Sequence, residues 1–226
     1  MLKPQKKKIN KKDLKKDPLL DGLLKGQTLY EENKNSILYT VVGVLAVALI
    51  FIWVSSMMEN REMEASSLLG KAQIEFDQFN FSKSRDFLNV LKEGYSGTDA
   101  AEQGIFLLAN LNFNEQHFEE AKMQFKEFAG SYSGNQLLVS SAYAGIAACL
   151  ETEKDYTGAA ENYEKASSKA GKLVQASEYI YLAGFNYEKA GNGQMAQTMF
   201  QKVIDEFPDS QRKYDAQTKL ILIASK

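Results

Sequence analysis

Residues 184–208 read GFNYEKAGNGQMAQTMFQKVIDEFP. Gly184 and Tyr187 stand on one side of a break at Gly191–Gly193. On the other side Ala196 is followed four residues later by Phe200 and three further on by Val203, with Pro208 closing the stretch. Spacings of three and four place these apolar residues on one face of a helix, so the stretch is two helices joined by a glycine-rich turn. Three earlier segments have the same form. Asn80-Phe81-Ser82-Lys83-Ser84, His117-Phe118-Glu119-Glu120-Ala121 and Asp155-Tyr156-Thr157-Gly158-Ala159 line up with Gly193-Gln194-Met195-Ala196 at separations of 37, 38 and 37 residues. Each opens a second helix whose small residue is Ser84, Ala121, Ala159 or Ala196. Four residues on come Leu88, Phe125, Tyr163 and Phe200, and three further stand Leu91, Phe128, Ala166 and Val203. From residue 65 to 226 there is a single proline, Pro208, and no two-residue alternation, so this part of the chain is expected to be helix and turn.

The pattern resembles the tetratricopeptide repeat, in which a small residue sits where two helices of a hairpin cross and a large one fills the gap beside it. Gly184, Tyr187, Ala196, Phe200 and Pro208 occupy the family's small, aromatic, small, aromatic and proline positions, and Ala121, Phe125, Ala159 and Tyr163 repeat part of the set. The first repeat departs furthest, with Ser84 for the packing alanine and Glu75 for the aromatic. The period exceeds the usual 34 or so because the inter-repeat turns, such as Gly94-Tyr95-Ser96-Gly97-Thr98 and Gly130-Ser131-Tyr132-Ser133-Gly134, are long. The resemblance implies an all-α, right-handed solenoid of four hairpins, at about 65–98, 102–135, 140–173 and 177–210, closed by a capping helix over 211–226. It also implies a binding groove along the first helices. Counting from the alignment, that groove carries Leu69, Gln73 and Phe76, then Phe106, Asn110 and Phe113, then Ala144 and Ala148, then Tyr181 and Phe185. Such rings either anchor apolar peptide segments or pack between neighbouring hairpins. Only Asn110 suits a carboxylate clamp, so capture of a free C-terminal carboxylate is not expected.

Ahead of the repeats, Asn35 to Met58 holds no charged side chain, and Ile37–Val54 is apolar on every face. A helix of that kind needs lipid or a large core around it. The 22 residues from Ile37 to Met58 reach roughly 33 Å at about 1.5 Å each, enough for a hydrocarbon layer of about 30 Å. Tyr39 and Trp53 stand near its ends, bounded by Lys34 and Arg61. A cleaved signal peptide has a shorter apolar core, and lipidation needs a cysteine just after the run, whereas Cys149 is the sole cysteine. The segment therefore reads as an uncleaved signal anchor spanning 37–58. Residues 1–36 carry ten Lys against five acidic residues, and residues 59–226 carry seventeen basic against twenty-four acidic. Positive charge beside the span places the 1–36 tail in the cytoplasm and the 59–226 domain outside it, with the lipid bilayer and not nucleic acid as the tail's partner. Asp17-Pro18 and the leucines of 19–24 suit a short helix on the bilayer or a loose tail, and the first repeat helix is expected to run straight out of the membrane helix.

Chemistry is sparse. His117 falls in a turn without a metal-ligating companion, no phosphate loop or nucleophile set occurs, and no cofactor motif is present. Cys149, in a run of small residues, suits a small buried apolar position. Glu119-Glu120 and the pair Glu151 and Glu153 read as solvated helix surface. A non-enzymatic interaction module is expected. A basic tail, a signal anchor and an acidic repeat stack, in that order, resemble the YfgM family. That resemblance implies a bacterial inner-membrane protein with a periplasmic domain. It further implies an ancillary subunit of the SecYEG translocon, working with a PpiD-like chaperone on unfolded or nascent secreted proteins. An envelope-assembly scaffold resembling BamD or CpoB, and a membrane-bound regulator of a cytoplasmic factor, are the other readings.

Overall fold

The structure is a computed structural model that describes residues 18–225; expectations that fall on residues 1–17, including the lysine cluster and Asp17, lie outside the described residues. Within the described residues there are nine helices and no strand. The first, α1 (Pro18–Asp77), includes both the apolar segment and the first repeat helix. The leucines of 19–24 therefore open this long helix and do not form a separate short one. Its apolar window has a mean hydropathy of 2.7 and is 0% buried, so α1 holds a candidate membrane span. The chain divides into two units between Met58 and Glu59.

Beyond the end of α1 the helices alternate in hairpins: α2 (Phe81–Gly94), α3 (Asp99–Asn114), α4 (Phe118–Ser131), α5 (Gln136–Thr152), α6 (Tyr156–Ala170), α7 (Val174–Lys189) and α8 (Gly193–Glu206), followed by α9 (Arg212–Ala224). The end of α1 pairs with α2, α3 with α4, α5 with α6 and α7 with α8, and α9 packs on the last pair. The first helices α3, α5 and α7 start three or four residues ahead of the repeat boundaries at about 102, 140 and 177. Two of these starts carry side-chain caps: the Thr98 hydroxyl accepts from the Ala101 amide at 3.1 Å and the Asn135 side-chain oxygen from the Leu137 amide at 2.9 Å.

The apolar faces are buried across hairpins as much as within them. Leu88 and Leu91 of α2 share a cluster with Leu107 and Leu111 of α3, and Phe125 and Phe128 of α4 share one with Val139 and Ile146 of α5. A third joins Tyr163, Ile180, Phe200 and Val203 to Ala216 of α9. No hairpin closes its own core, which is why the stack needs its neighbours and a closing helix.

Where paired helices cross, the chain has room for only small side chains. A Cβ on Gly184 would meet the Phe200 ring at 2.9 Å and Met199 at 3.1 Å. Ala109 and Ala121, like Ala147 and Ala159, are fully buried. At the first crossing the buried Ser84 hydroxyl donates to the Ala72 carbonyl at 2.8 Å, so its polar atom is satisfied where the other hairpins have a methyl group.

One residue in each intra-hairpin turn takes the left-handed conformation: Phe79 (φ 61°), Gln116 (65°), Lys154 (64°) and Gly191 (79°). The next amide returns to a carbonyl five residues back in every case, Asn80 to Glu75 and His117 to Asn112 at 2.8 Å, Asp155 to Leu150 at 3.0 Å and Asn192 to Tyr187 at 2.8 Å. That bond ends each first helix and aims the second one back along it.

Candidate protein-interaction face

The face is built from the register positions Leu69, Phe106, Ala144 and Tyr181, with Gln73, Asn110, Ala148 and Phe185 one turn on. Phe76 and Phe113 complete it. All of them are partly buried except Gln73, which is exposed. Partial burial has a specific cause. Each ring leans on the second helix of its own hairpin: Phe76 on Phe81 at 5.7 Å between centroids, Phe106 on Phe125 at 5.7 Å and Phe128 at 5.3 Å, Phe113 on Phe118 at 5.3 Å, Tyr181 on Phe200 at 5.5 Å. Each of these rings is thereby held by an aromatic contact while staying partly exposed. The two amides do little besides satisfying themselves. Asn110 donates to the Phe106 carbonyl and Gln73 to Asp77, both at 2.8 Å.

At the C-terminal end the outer ring surfaces are covered as well. The Arg212 guanidinium of α9 stands 4.7 Å from the Tyr181 centroid, and Lys189 and Lys219 stand 4.5 and 4.8 Å from that of Phe185. Cations over ring faces are worth roughly 0.5–2 kcal/mol each. They are also locked: Arg212 donates to both carboxylate oxygens of Glu178, at 2.5 and 2.7 Å, and to Asp215 at 2.7 Å, while Lys219 donates to Glu188 at 2.7 Å. The Glu178 bond holds the Arg212 guanidinium well above its ordinary pKa, and burial pushes the Tyr181 phenol up, so both keep their neutral-pH forms. Arg212, Lys219, Glu178 and Glu188 are thus part of the face's architecture. Sequence reading missed them because their partners lie 31 to 34 residues away.

The carboxylates read as solvated surface divide. Glu120 is exposed. Glu151 instead accepts from Asn186 at 2.6 Å and from the Tyr163 hydroxyl at 3.3 Å, and Glu153 accepts from Lys122 at 2.5 Å. The Asn186 and Lys122 bonds link neighbouring hairpins, as does the pair Arg85–Glu115, while the Tyr163 bond lies within the third hairpin. The bond to Glu153 raises the Lys122 pKa, keeping the ammonium charged.

The packing residues lie behind the face. Ala121, Phe125, Ala159, Tyr163, Gly184, Tyr187, Ala196 and Phe200 are all buried, and Pro208 is exposed in the turn after α8. Burial pushes the Tyr163 and Tyr187 phenols up, aided by Glu151 and Glu164. Cys149 is fully buried, and burial pushes its thiol up to about 11, so it stays protonated at neutral pH. His117 is exposed at the start of α4.

Residues 27–225 match the model of a family described as a tetratricopeptide repeat-like domain. Among solved structures, the crystal structure of MamA protein is 19% identical with a TM-score of 0.51, over 63% of this chain and 72% of that one. A tetratricopeptide repeat protein from Parabacteroides merdae is 13% identical with a TM-score of 0.59, over 72% of this chain and 61% of that one. The MamA RS-1 ArsTM double mutant is 16% identical with a TM-score of 0.52, over 71% and 94%. At such identities the likeness is one of fold. No curated protein matches the sequence significantly.

Proposed function

This chain belongs to the tetratricopeptide repeat-like domain family, and on that footing we propose that it is a membrane-anchored chaperone or docking subunit. In this reading its repeat domain holds emerging polypeptides outside the cytoplasm. Its repeats form a protein–protein interaction module. The observation that carries the finer reading is the line of supported, half-open rings at Phe76, Phe106 and Phe113. A ring already held by its own hairpin loses little freedom when an apolar segment covers it, and a few such anchors usually dominate an interface.

The span at 37–58 serves as an uncleaved signal anchor with the lysine-rich tail in the cytoplasm. In a bacterial inner membrane this directs the repeats to the periplasm. The partners are then the SecYEG translocon, a PpiD-like chaperone and unfolded or nascent secreted chains. Tethering near a translocation exit raises the effective concentration of the ring face for those chains, so weak contacts suffice.

Two measurements bear on this. A reporter fused after Lys226 should be active only outside the cytoplasm, and activity inside would overturn the orientation. Affinity purification of the full chain after mild detergent extraction should recover translocon subunits and the chaperone. Recovery of outer-membrane assembly factors, or of a cytoplasmic regulator, in their place would replace the proposal with the scaffold or regulator reading.

A further inference from the structure

The leading side of the first hairpin has the make-up of an inter-hairpin contact with no hairpin on it. In the second hairpin, α3 turns Ala100, Gly104, Leu107 and Leu111 onto the hairpin before. Ala100, Leu107 and Leu111 share the cluster of Leu88 and Leu91, and a Cβ on Gly104 would come within 2.8 Å of Leu91. The same register, 37 residues upstream, carries Met63, Ser67, Gly70 and Ile74 on α1. There Met63 is 66% and Ile74 57% exposed, and nothing lies within 4 Å of a Cβ built on Gly70. Later hairpins fill these positions too. Gly145 of α5, in Gly70's place, faces the Phe125 ring at 2.6 Å, and Ala216 of α9, in Ser67's place, is fully buried. A glycine inside an exposed helix costs about 1 kcal/mol relative to alanine, and here no neighbour among the described residues offsets it.

We propose that a second copy of this chain covers this face, α1 against α1 about a two-fold axis. In a parallel isologous pair, with the axis running along the helices, each residue meets itself or a near neighbour, so any charge on the line meets its like. Met63, Ser67, Gly70 and Ile74 are uncharged, although residues 59–226 carry twenty-four acidic side chains against seventeen basic. Asn60 extends the line by one step, giving successive spacings of 3, 4, 3 and 4 residues. That is the seam of two parallel helices, in which a buried asparagine favours the parallel two-stranded register. Ser67 and Gly70 at its centre let the backbones approach closely. The membrane anchor, on which this inference rests, holds two copies parallel with their α1 lines at one height.

The test uses the full chain in native membranes, with Cys149→Ala to remove the natural thiol and one cysteine introduced by Ser67→Cys, Gly70→Cys or Gln73→Cys. Mild oxidation should convert most of the Ser67→Cys and Gly70→Cys chains to disulfide-linked homodimer and leave Gln73→Cys with a trace. Two differently tagged copies identify both halves. Adding Gly70→Glu to the Ser67→Cys chain should abolish the dimer with helix content unchanged, since it sets two carboxylates against each other. Absence of dimer from positions 67 and 70, equal dimer from position 73, survival of dimer in Gly70→Glu, or a crosslink to a different polypeptide would each overturn the proposal. Client capture by the ring face, read on the same membranes, is a separate result and reports on the proposed function alone.

Discussion

The two ends of the repeat domain present rings in the same register but cover them differently. Tyr181 and Phe185 lie beneath Arg212, Lys189 and Lys219, whose charges are themselves tied to Glu178 and Glu188 or stacked on the rings. For Phe76, Phe106 and Phe113, the ring contacts are to other rings of their own hairpins. A closing helix therefore does two jobs. It packs Ala216, Leu220 and Ile223 against the last hairpin, and it supplies Arg212 over Tyr181 and Lys219 over Phe185. Among the described residues, no cation stands over the rings of the first two hairpins.

The largest effect should come from breaking the fold on which both ends depend. Ala196 is fully buried at the crossing of α7 and α8. Replacing it by Leu should overpack that crossing and cost about 1–3 kcal/mol. In a domain of this size, that lowers the melting temperature by about 2–4 °C per kcal/mol. Calorimetry on the repeat domain checks it; an unchanged transition would mean that residues 193–206 pack in a different register.

A second change removes the difference between the ends. Arg212→Met, Lys189→Met and Lys219→Met together take the cations off Tyr181 and Phe185 while keeping apolar stems in place. Arg212 and its partner Glu178 are both more than a third exposed, so screening limits the stability cost to roughly 1 kcal/mol. Partner capture at the C-terminal end should rise, measured by photocrosslinking from position 148, which leaves both rings in place, before and after the change. If capture stays at its original level, cation cover is not what sets the ends apart.

The smallest effect concerns the turns. Phe79 holds φ 61° where the fourth hairpin has Gly191 at φ 79°. A non-glycine residue pays about 1–2 kcal/mol for the left-handed region. Phe79→Gly should recover about 1 kcal/mol of this, less the weak contact with Phe81. Denaturant unfolding should therefore show a slightly higher midpoint with the same slope.

What could be read from the sequence follows a physical line. The second helices announce themselves because a crossing needs a small residue and the gap beside it a large one, which fixes Ala121 with Phe125 and Ala196 with Phe200 at a constant period. The left-handed turn positions are nearly silent, since only Gly191 is a glycine. At Phe79, Gln116 and Lys154 the returning hydrogen bond imposes the conformation on residues with no preference for it. Side-chain caps at Thr98, Asn135, Asp155 and Asn192 mark four of the helix starts. Least legible were the pairs across hairpins, such as Lys122 with Glu153 or Asn186 with Glu151. Their geometry depends on how one hairpin docks on the next. For the same reason the sequence placed Tyr181 and Phe185 on the face with the other rings and did not foresee the cations above them.

The most direct test compares one register position along the face in living cells. A photoreactive side chain is placed at Gln73, Asn110 or Phe185, with exposed Glu120 as the outer-surface control. Gln73 and Asn110 neighbour the open rings without removing one. The account predicts strong crosslinks from positions 73 and 110 to nascent secreted chains or a partner chaperone, with weak ones from positions 185 and 120. Equal yields from all four positions, or none from 73 and 110, would contradict it.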